Sequence, residues 1–353
     1  MITRNTVFIL GAGSSKPYGY PLGDELVRNI IQQSSWKTSY KELNTVNIGK
    51  RRQLQWEIEK FVEHLRASRP KSIDAFLTRV PRYGMLGKYA IAYIIQECNH
   101  TQKLDEPPKR NKEESEDLRW AKWDDWHAYL FDTIMNAKNL EDFKQNKVHF
   151  LTFNYDFSFD RALANYIRFG FEGTGTQKLD AWEKYKPIHL HGSIFPNFHF
   201  DTQDRNPEEL IREQCVVFSQ CQINEIAEKY IKIISDEESK NQYDKALTVL
   251  ENAQLLVFLG FGFHPEIMNR LKPHIELWLN KSGVHGIGAT CYGMTDSERI
   301  LSIDQQLPTN YADYRYHRNS TLKCRDWLRV HSNLFDSSQK WLGKDVYYAR
   351  YTS

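Results

Sequence analysis

Four short stretches carry side chains of the kind that bind anions, orient hydroxyls or move protons. The first is VFILGAGSSKPYGYPLGDEL at residues 7–26. An apolar run enters Gly11-Ala12-Gly13-Ser14-Ser15, passes Pro17 and reaches a helical pattern near Asp24. Glycines here permit a tight turn and close approach to a phosphate. Main-chain N–H groups and a helix N-terminus would then hold the anion. A GxG by itself is equally well read as a plain strand–helix turn, and its place after the first strand favours the nucleotide reading. It is a poor dehydrogenase fingerprint: Lys16 stands where the third glycine would fall, and no acidic strand end follows to clamp a ribose.

The second stretch, HFLTFNYDFSFDRAL at 149–163, ends a strand in Asn154-Tyr155-Asp156. Residues just past a parallel strand's C-terminal end face the ligand crevice. Asn154 offers a donor and an acceptor there, Asp156 only acceptors. Asp156 also reads as an ordinary helix N-cap. The third stretch is KPIHLHGSIF at 186–195. Strand alternation puts His189 and His191 on one side. His191, before Gly192, is the one placed to exchange a proton near neutral pH. A buried, hydrogen-bonded histidine is the plain alternative. A metal site is not expected, since no third ligand stands at useful spacing. The fourth stretch, LLVFLGFGFHPEIMNRL at 255–271, ends a strand in Gly260-Phe261-Gly262 before a helix with Pro265 in its first turn. It reads as a second nucleotide contact or as a turn without a ligand.

These stretches need a scaffold, and the apolar runs indicate one. Thr6–Gly11, Val148–Phe153, Pro187–His191, Leu255–Gly260 and Gly288–Tyr292 read as strands. They are mostly continuous rather than alternating, which suits a parallel sheet covered on both faces. Helical patterns at Asp24–Gln33, Ser158–Arg168, Asn224–Glu251 and Pro265–Leu279 alternate with them. The fold class is therefore α/β, a Rossmann-like doubly wound parallel sheet. Residues 25–145 contain no clear strand. Amphipathic stretches at Gln53–Arg66, Ile73–Thr78, Gly87–Glu97 and Trp120–Asn136 mark a helical insertion, interrupted by a polar stretch, Gln102–Asp117, that reads as a mobile surface loop. Residues 1–335 form the expected domain and 336–353 a tail.

Composition narrows the class. Of 353 residues 41% are apolar and 26% charged, ordinary for a globular chain. The formal charge of +2 does not indicate direct nucleic-acid binding. The five cysteines, at 98, 215, 221, 291 and 324, are odd in number and scattered. They suggest reduced thiols in the cytoplasm. No apolar run is long enough for a membrane span.

Taken in order, the four stretches resemble the sirtuin superfamily, and more closely the sirtuin-like NADases of bacterial antiviral defence. GAGSS at 11–15 resembles the family's phosphate and ribose loop. Asn154 and Asp156 match its T-x-N-x-D motif, His191-Gly192 its catalytic histidine and following glycine, and GFG at 260–262 its late glycine-rich motif; YGMT at 292–295 stands where the last strand and adenine-side loop would lie. The chain departs from the deacylating branch. It has no four-cysteine zinc module, Phe153 replaces the usual glutamine, and GYPLGDEL at 19–26 replaces the Gly-Ile-Pro-Asp-Phe-Arg stretch.

The resemblance implies a sirtuin-like fold without a zinc module, NAD+ as substrate and no metal. It implies cleavage of the nicotinamide–ribose bond to nicotinamide and ADP-ribose, depleting NAD+ during phage infection. His191, Asn154 and Asp156 would be catalytic. Gly11, Ala12, Gly13, Ser14, Ser15, Pro21, Asp24, Gly192, Gly260, Phe261 and Gly262 would bind the nucleotide. A homo-oligomer is implied, with a HerA-type ATPase or a short Argonaute as possible partner. Two other classes stay open: a sensor of NAD or ADP-ribose without turnover, and an NAD-dependent protein deacylase or ADP-ribosyltransferase.

Overall fold

The computed structural model describes residues 1–44, 48–101, 123–195, 218–233, 236, 243–244, 248–279, 286–299, 301, 315–319 and 322–339. Strands β1 (Thr6–Leu10), β2 (Val148–Thr152), β3 (Ile188–His189), β4 (Leu255–Leu259), β5 (Gly286–Thr290) and β6 (Arg315–Asn319) form one sheet. Their order is β3-β2-β1-β4-β5-β6, and every neighbouring pair is parallel. This is the Rossmann order, with its switch point between β1 and β4.

The centre of the sheet is buried because β1 and β4 are apolar on both faces. All five residues of β1, β4 and β5 are buried. Phe8, Leu10, Phe150, Val257 and Leu259 face the larger core, while Val7, Ile9, Leu151, Leu256 and Phe258 face the smaller. Continuous apolar runs are what two covered faces require.

Helices α1 (Ala12–Ser15), α2 (Gly23–Gln32), α3 (Ser35–Asn44), α4 (Ile48–Ser68), α5 (Ile73–Arg79), α6 (Gly84–Thr101), α7 (Trp126–Ala128) and α8 (Leu140–Phe143) lie between β1 and β2. They include the expected helical insertion, and among the described residues no strand interrupts them. α9 (Ser158–Gly170) and α10 (Gly175–Tyr185) join β2 to β3, and α11 (Gln220–Lys229) precedes β4. α12 (Pro265–Leu279) joins β4 to β5, α13 (Asp296–Arg299) follows β5, and α14 (Cys324–Val330) follows β6. The stretch Gln102–Asp117 lies outside the described residues, as does the tail beyond residue 339.

Several expectations need correction. The helix expected over Asn224–Glu251 is not continuous: α11 ends at Lys229 and Thr248–Asn252 is a short 3-10 helix. Pairing with the segment after β3 overrides the helical pattern, because the Lys232 amide donates to the His191 carbonyl at 2.9 Å. The helix expected over Trp120–Asn136 is α7 followed by a π-helical turn, Tyr129–Ile134. The fifth strand starts two residues earlier than expected, since Gly286 pairs with Leu255 at the start of β4. The sixth, RYHRN, has no apolar run to announce it and pairs along β5 from Gly286↔Arg315 to Thr290↔Asn319.

One glycine makes the α14 packing possible. A Cβ on Gly288 of β5 would lie 2.5 Å from the ring of Trp327, a side chain that is fully buried and has nowhere to retreat. Gly288→Ala is expected to cost about 1–3 kcal/mol through overpacking, read as a lower thermal midpoint, while Gly84→Ala, where an added Cβ meets open space, leaves the midpoint close to that of the parent.

Candidate functional site

The register sets the site. Leu10, Thr152 and Leu259 end β1, β2 and β4 in one row. The next residues, Gly11, Phe153 and Gly260, therefore emerge side by side at the carboxyl edge, where ligands bind in open parallel sheets. A cavity of about 900 Å³ opens over this edge. Eleven of the expected site residues line it: Gly11, Ala12, Gly13, Pro21, Asp24, Asn154, Asp156, His191, Gly260, Phe261 and Gly262. Ser14, Ser15 and Gly192 do not.

The two glycine-rich turns lock together through their backbones. Gly11 N–H donates to the Leu259 carbonyl at 3.0 Å, and Gly13 N–H donates to the Gly260 carbonyl at 2.8 Å. The sequence suggests these N–H groups as phosphate donors; both are instead used within the protein. Ala12 N–H is left without a partner among the described residues. The glycines serve close approach. A Cβ on Gly260 (φ +59) would fall 1.9 Å from the Ser14 nitrogen, and one on Gly13 would fall 2.8 Å from Gly260 Cα.

Ser14 and Ser15 are buried and turned inward. Asn154 gathers them: its Nδ2 donates toward the Gly11 carbonyl (3.0 Å), Ser15 Oγ (2.9 Å) and Ser14 Oγ (3.2 Å). Its Oδ1 has no partner among the described residues and is the group it has left for a ligand. Asp156 is not the N-cap expected of it, since Phe157 holds that position; from one residue earlier its Oδ1 accepts from Ser158 N (2.9 Å) and Ser158 Oγ (2.6 Å), which ties the Asn154 turn to the start of α9. Burial pushes its carboxyl above the usual range, and the Ser158 hydrogen bonds act against that shift.

The two histidines have different surroundings. β3 ends at His189 and the chain turns at Leu190, so the alternation expected to place both imidazoles on one side does not extend to His191. Burial acts to lower the His189 pKa, but Asp160, 3.2 Å away, together with the Asn154 carbonyl and Asp156, raises it. That pairing accounts for His189 structurally. His191 is 2% exposed and stands edge-on to Phe153, with ring centroids 5.1 Å apart. Its Nε2 lies 3.1 Å from Tyr243 Oη and its Nδ1 3.9 Å from Asp74 Oδ1. Burial lowers its pKa; Asp74 opposes the shift and Arg270 adds to it. The imidazole is therefore neutral at pH 7, the state that can accept a proton. Gly192 (φ +75) lets the chain pass Tyr230, whose carbonyl would lie 1.7 Å from an added Cβ.

The sequence reading missed three groups around His191. Asp74, on α5 of the insertion, lines the cavity, and Tyr155 Oη donates to its Oδ1 at 2.5 Å. Tyr243 holds the far nitrogen of His191. The available signal for Asp74 was a carboxylate inside an otherwise apolar run, IDAFL, all five residues of which are buried. Two indoles were missed as well. Trp126 Nε1 donates to the Ser14 carbonyl (2.7 Å) and Trp123 Nε1 to the Pro17 carbonyl (3.0 Å), so the insertion also braces the first glycine turn. Among the described residues no group of three His, Cys, Asp or Glu side chains is placed to hold a metal ion, and no helix is long and apolar enough to cross a membrane. Compared with known proteins, the chain matches no family model and no curated protein.

Gly260→Ala forces both a positive φ and a backbone clash, and is expected to cost about 2 kcal/mol or more. Gly262→Ala is the control, because a Cβ there meets only the movable His264 ring, at 3.0 Å. Thermal midpoints of the two variants, measured together, should separate clearly.

Proposed function

We propose that this chain is an NAD+ glycohydrolase of the sirtuin-like kind. One observation carries the reading: a neutral buried histidine, an asparagine with a free carbonyl oxygen and two interlocked glycine turns line one cavity at the switch point of a Rossmann-like sheet. Its volume, about 900 Å³, is in the range of small-molecule and cofactor sites. The glycine turns would lie against the pyrophosphate and the riboses, with Ala12 N–H as the available backbone donor.

Nicotinamide leaves as a neutral molecule, so its departure needs no acid. As the bond from the ribose carbon to the ring nitrogen breaks, its electron pair goes to nicotinamide. The sugar becomes cationic and a water oxygen bonds to the same carbon. His191 takes the water's proton, directly or by way of a ribose hydroxyl, and releases it to solvent. Asn154 Oδ1 orients that water or hydroxyl. Asp156 holds α9 and the Asn154 turn in register. In the setting the resemblance implies, this reaction depletes NAD+ in a cytoplasmic defence response.

A sensor without turnover is the second reading, and one observation favours it: the Asn154 amide N–H groups and Asp156 Oδ1 are already engaged within the protein.

Nicotinamide release from NAD+ by the purified protein decides between them. His191→Ala should cut turnover about 10²–10⁴-fold and leave NAD+ binding nearly intact by calorimetry. Asn154→Ala should weaken both, because it also releases the glycine turn. Binding without release by the parent protein would leave the sensor.

The rate should also depend on pH in a defined direction. Folding holds the His191 pKa below the ordinary histidine value, so the neutral base persists to lower pH than a free imidazole would. The acid limb of kcat/KM should therefore fall below about pH 6.5, with activity lost as pH drops through it. A limb above that value would point to a different base.

A further inference from the structure

His191 does not stand alone in the cavity wall. Its two nitrogens meet different groups, one from the sheet side and one from the insertion. Nε2 faces Tyr243, which is not among the cavity-lining residues and whose ring lies under Arg270 at 5.2 Å. Nδ1 faces Asp74, which does line the cavity. The nitrogen on the cavity side is thus the one beside a carboxylate.

We propose that Asp74 is a positioning residue that holds His191 ready to take its proton at Nδ1 and steadies the imidazolium formed there. This rests on the hydrolase reading above. In the resting tautomer that this role requires, Nε2–H donates to Tyr243 Oη, 3.1 Å away, which leaves the Nδ1 lone pair toward the cavity. When Nδ1 takes a proton, the new charge lies next to the Asp74 carboxylate, whose side chain is only 11% exposed. A carboxylate that close favours the charged imidazole, and burial of both groups limits screening.

The placement of Asp74 is held from several directions. Tyr155 donates to the same oxygen that faces His191. At the far end of α5, Arg79 pairs with Glu266 of α12 at 3.6 Å, tying the helix to the segment after β4. Asp236 also acts on His191 to raise its pKa, but it is engaged by Lys88 at 2.6 Å. His264, another cavity-lining group, feels Asp74 as well. Arg270 works against protonation of His191. Of the carboxylates acting on His191, Asp74 is the one within 4 Å of it and on the cavity wall. The helical insertion therefore contributes directly to the base, and the sheet alone does not complete the site.

The test pairs kinetics with a direct titration. The pH dependence of kcat/KM for NAD+ is measured for parent, Asp74→Asn and Asp74→Glu. The His191 ring is titrated by NMR in histidine-labelled protein, with His191→Gln assigning its signal. Asp74→Asn should lower the His191 pKa and the acid limb by about one pH unit, reduce the plateau kcat about tenfold or more, and leave KM within about twofold. Asp74→Glu keeps the charge and should return the His191 pKa close to its parent value. If Asp74→Asn does not fold, Asp74→Glu carries the test, with a parent-like titration and a reduced kcat. An unchanged His191 titration in folded Asp74→Asn, or a loss confined to KM, would overturn the proposal. If the parent protein releases no nicotinamide, the hydrolase reading fails, while the NMR titration still reports whether Asp74 governs His191.

Discussion

The site depends on one contact, the backbone approach of the β1 and β4 turns. Gly13 N–H reaches the Gly260 carbonyl at 2.8 Å, and Gly260 has no room for a Cβ because Ser14 N would lie 1.9 Å from it. Two strand ends from distant parts of the chain are thereby held at van der Waals distance at the switch point. Everything nearby takes its place from them: Asn154 bridges the first turn, Phe153 and Phe261 pack edge to face at 5.2 Å, and the cavity opens over the seam. A side chain on either glycine would spread the strand ends and remove the shared wall.

Around this seam the protein keeps polar groups buried by pairing them. Ser15 and Ser158 hydroxyls are 3.3 Å apart, Asp156 accepts twice from Ser158, and Asn154 ties the serines to β2. Unmade hydrogen bonds in such surroundings cost more than made ones contribute, so the network is effectively all or nothing. It also explains why the polar residues of the motifs divide into those that hold the turn and those that remain open to the cavity. Asn154 is in both groups, by its two amide ends.

The two histidines show the same division. His189 and His191 are two residues apart and both largely buried, yet one is raised by Asp160 and the other lowered by burial. The difference comes from the turn at Leu190 and from which helix each ring meets. The insertion has a comparable double role. It buries a large part of the apolar core, and it supplies Asp74 beside His191 and the indoles that brace residues 14–17.

Much of the architecture was legible in the residues themselves. Runs such as TVFIL and LLVFL require burial on both faces, and their alternation with amphipathic stretches implies a parallel α/β sheet. The observed β1, β2 and β4 end one residue before the expected limits, and α12 matches its expected bounds. Strand ends marked by Gly11, Asn154 and Gly260 pointed to one crevice because a parallel sheet gathers its carboxyl ends. Other features were decided by tertiary structure. β6 carries a polar sequence and exists through its pairing with β5. α11 stops where Lys232 finds the His191 carbonyl, a bond the helical pattern does not encode. Asp74 lies 117 positions from His191 in the sequence, and only the packing of α5 against α2 and α6 beside the cavity brings the two within 3.9 Å. Local pattern determines which faces must be buried. Which buried groups meet across long sequence separations is set by how the covered faces pack, and the surroundings of His191 were decided there.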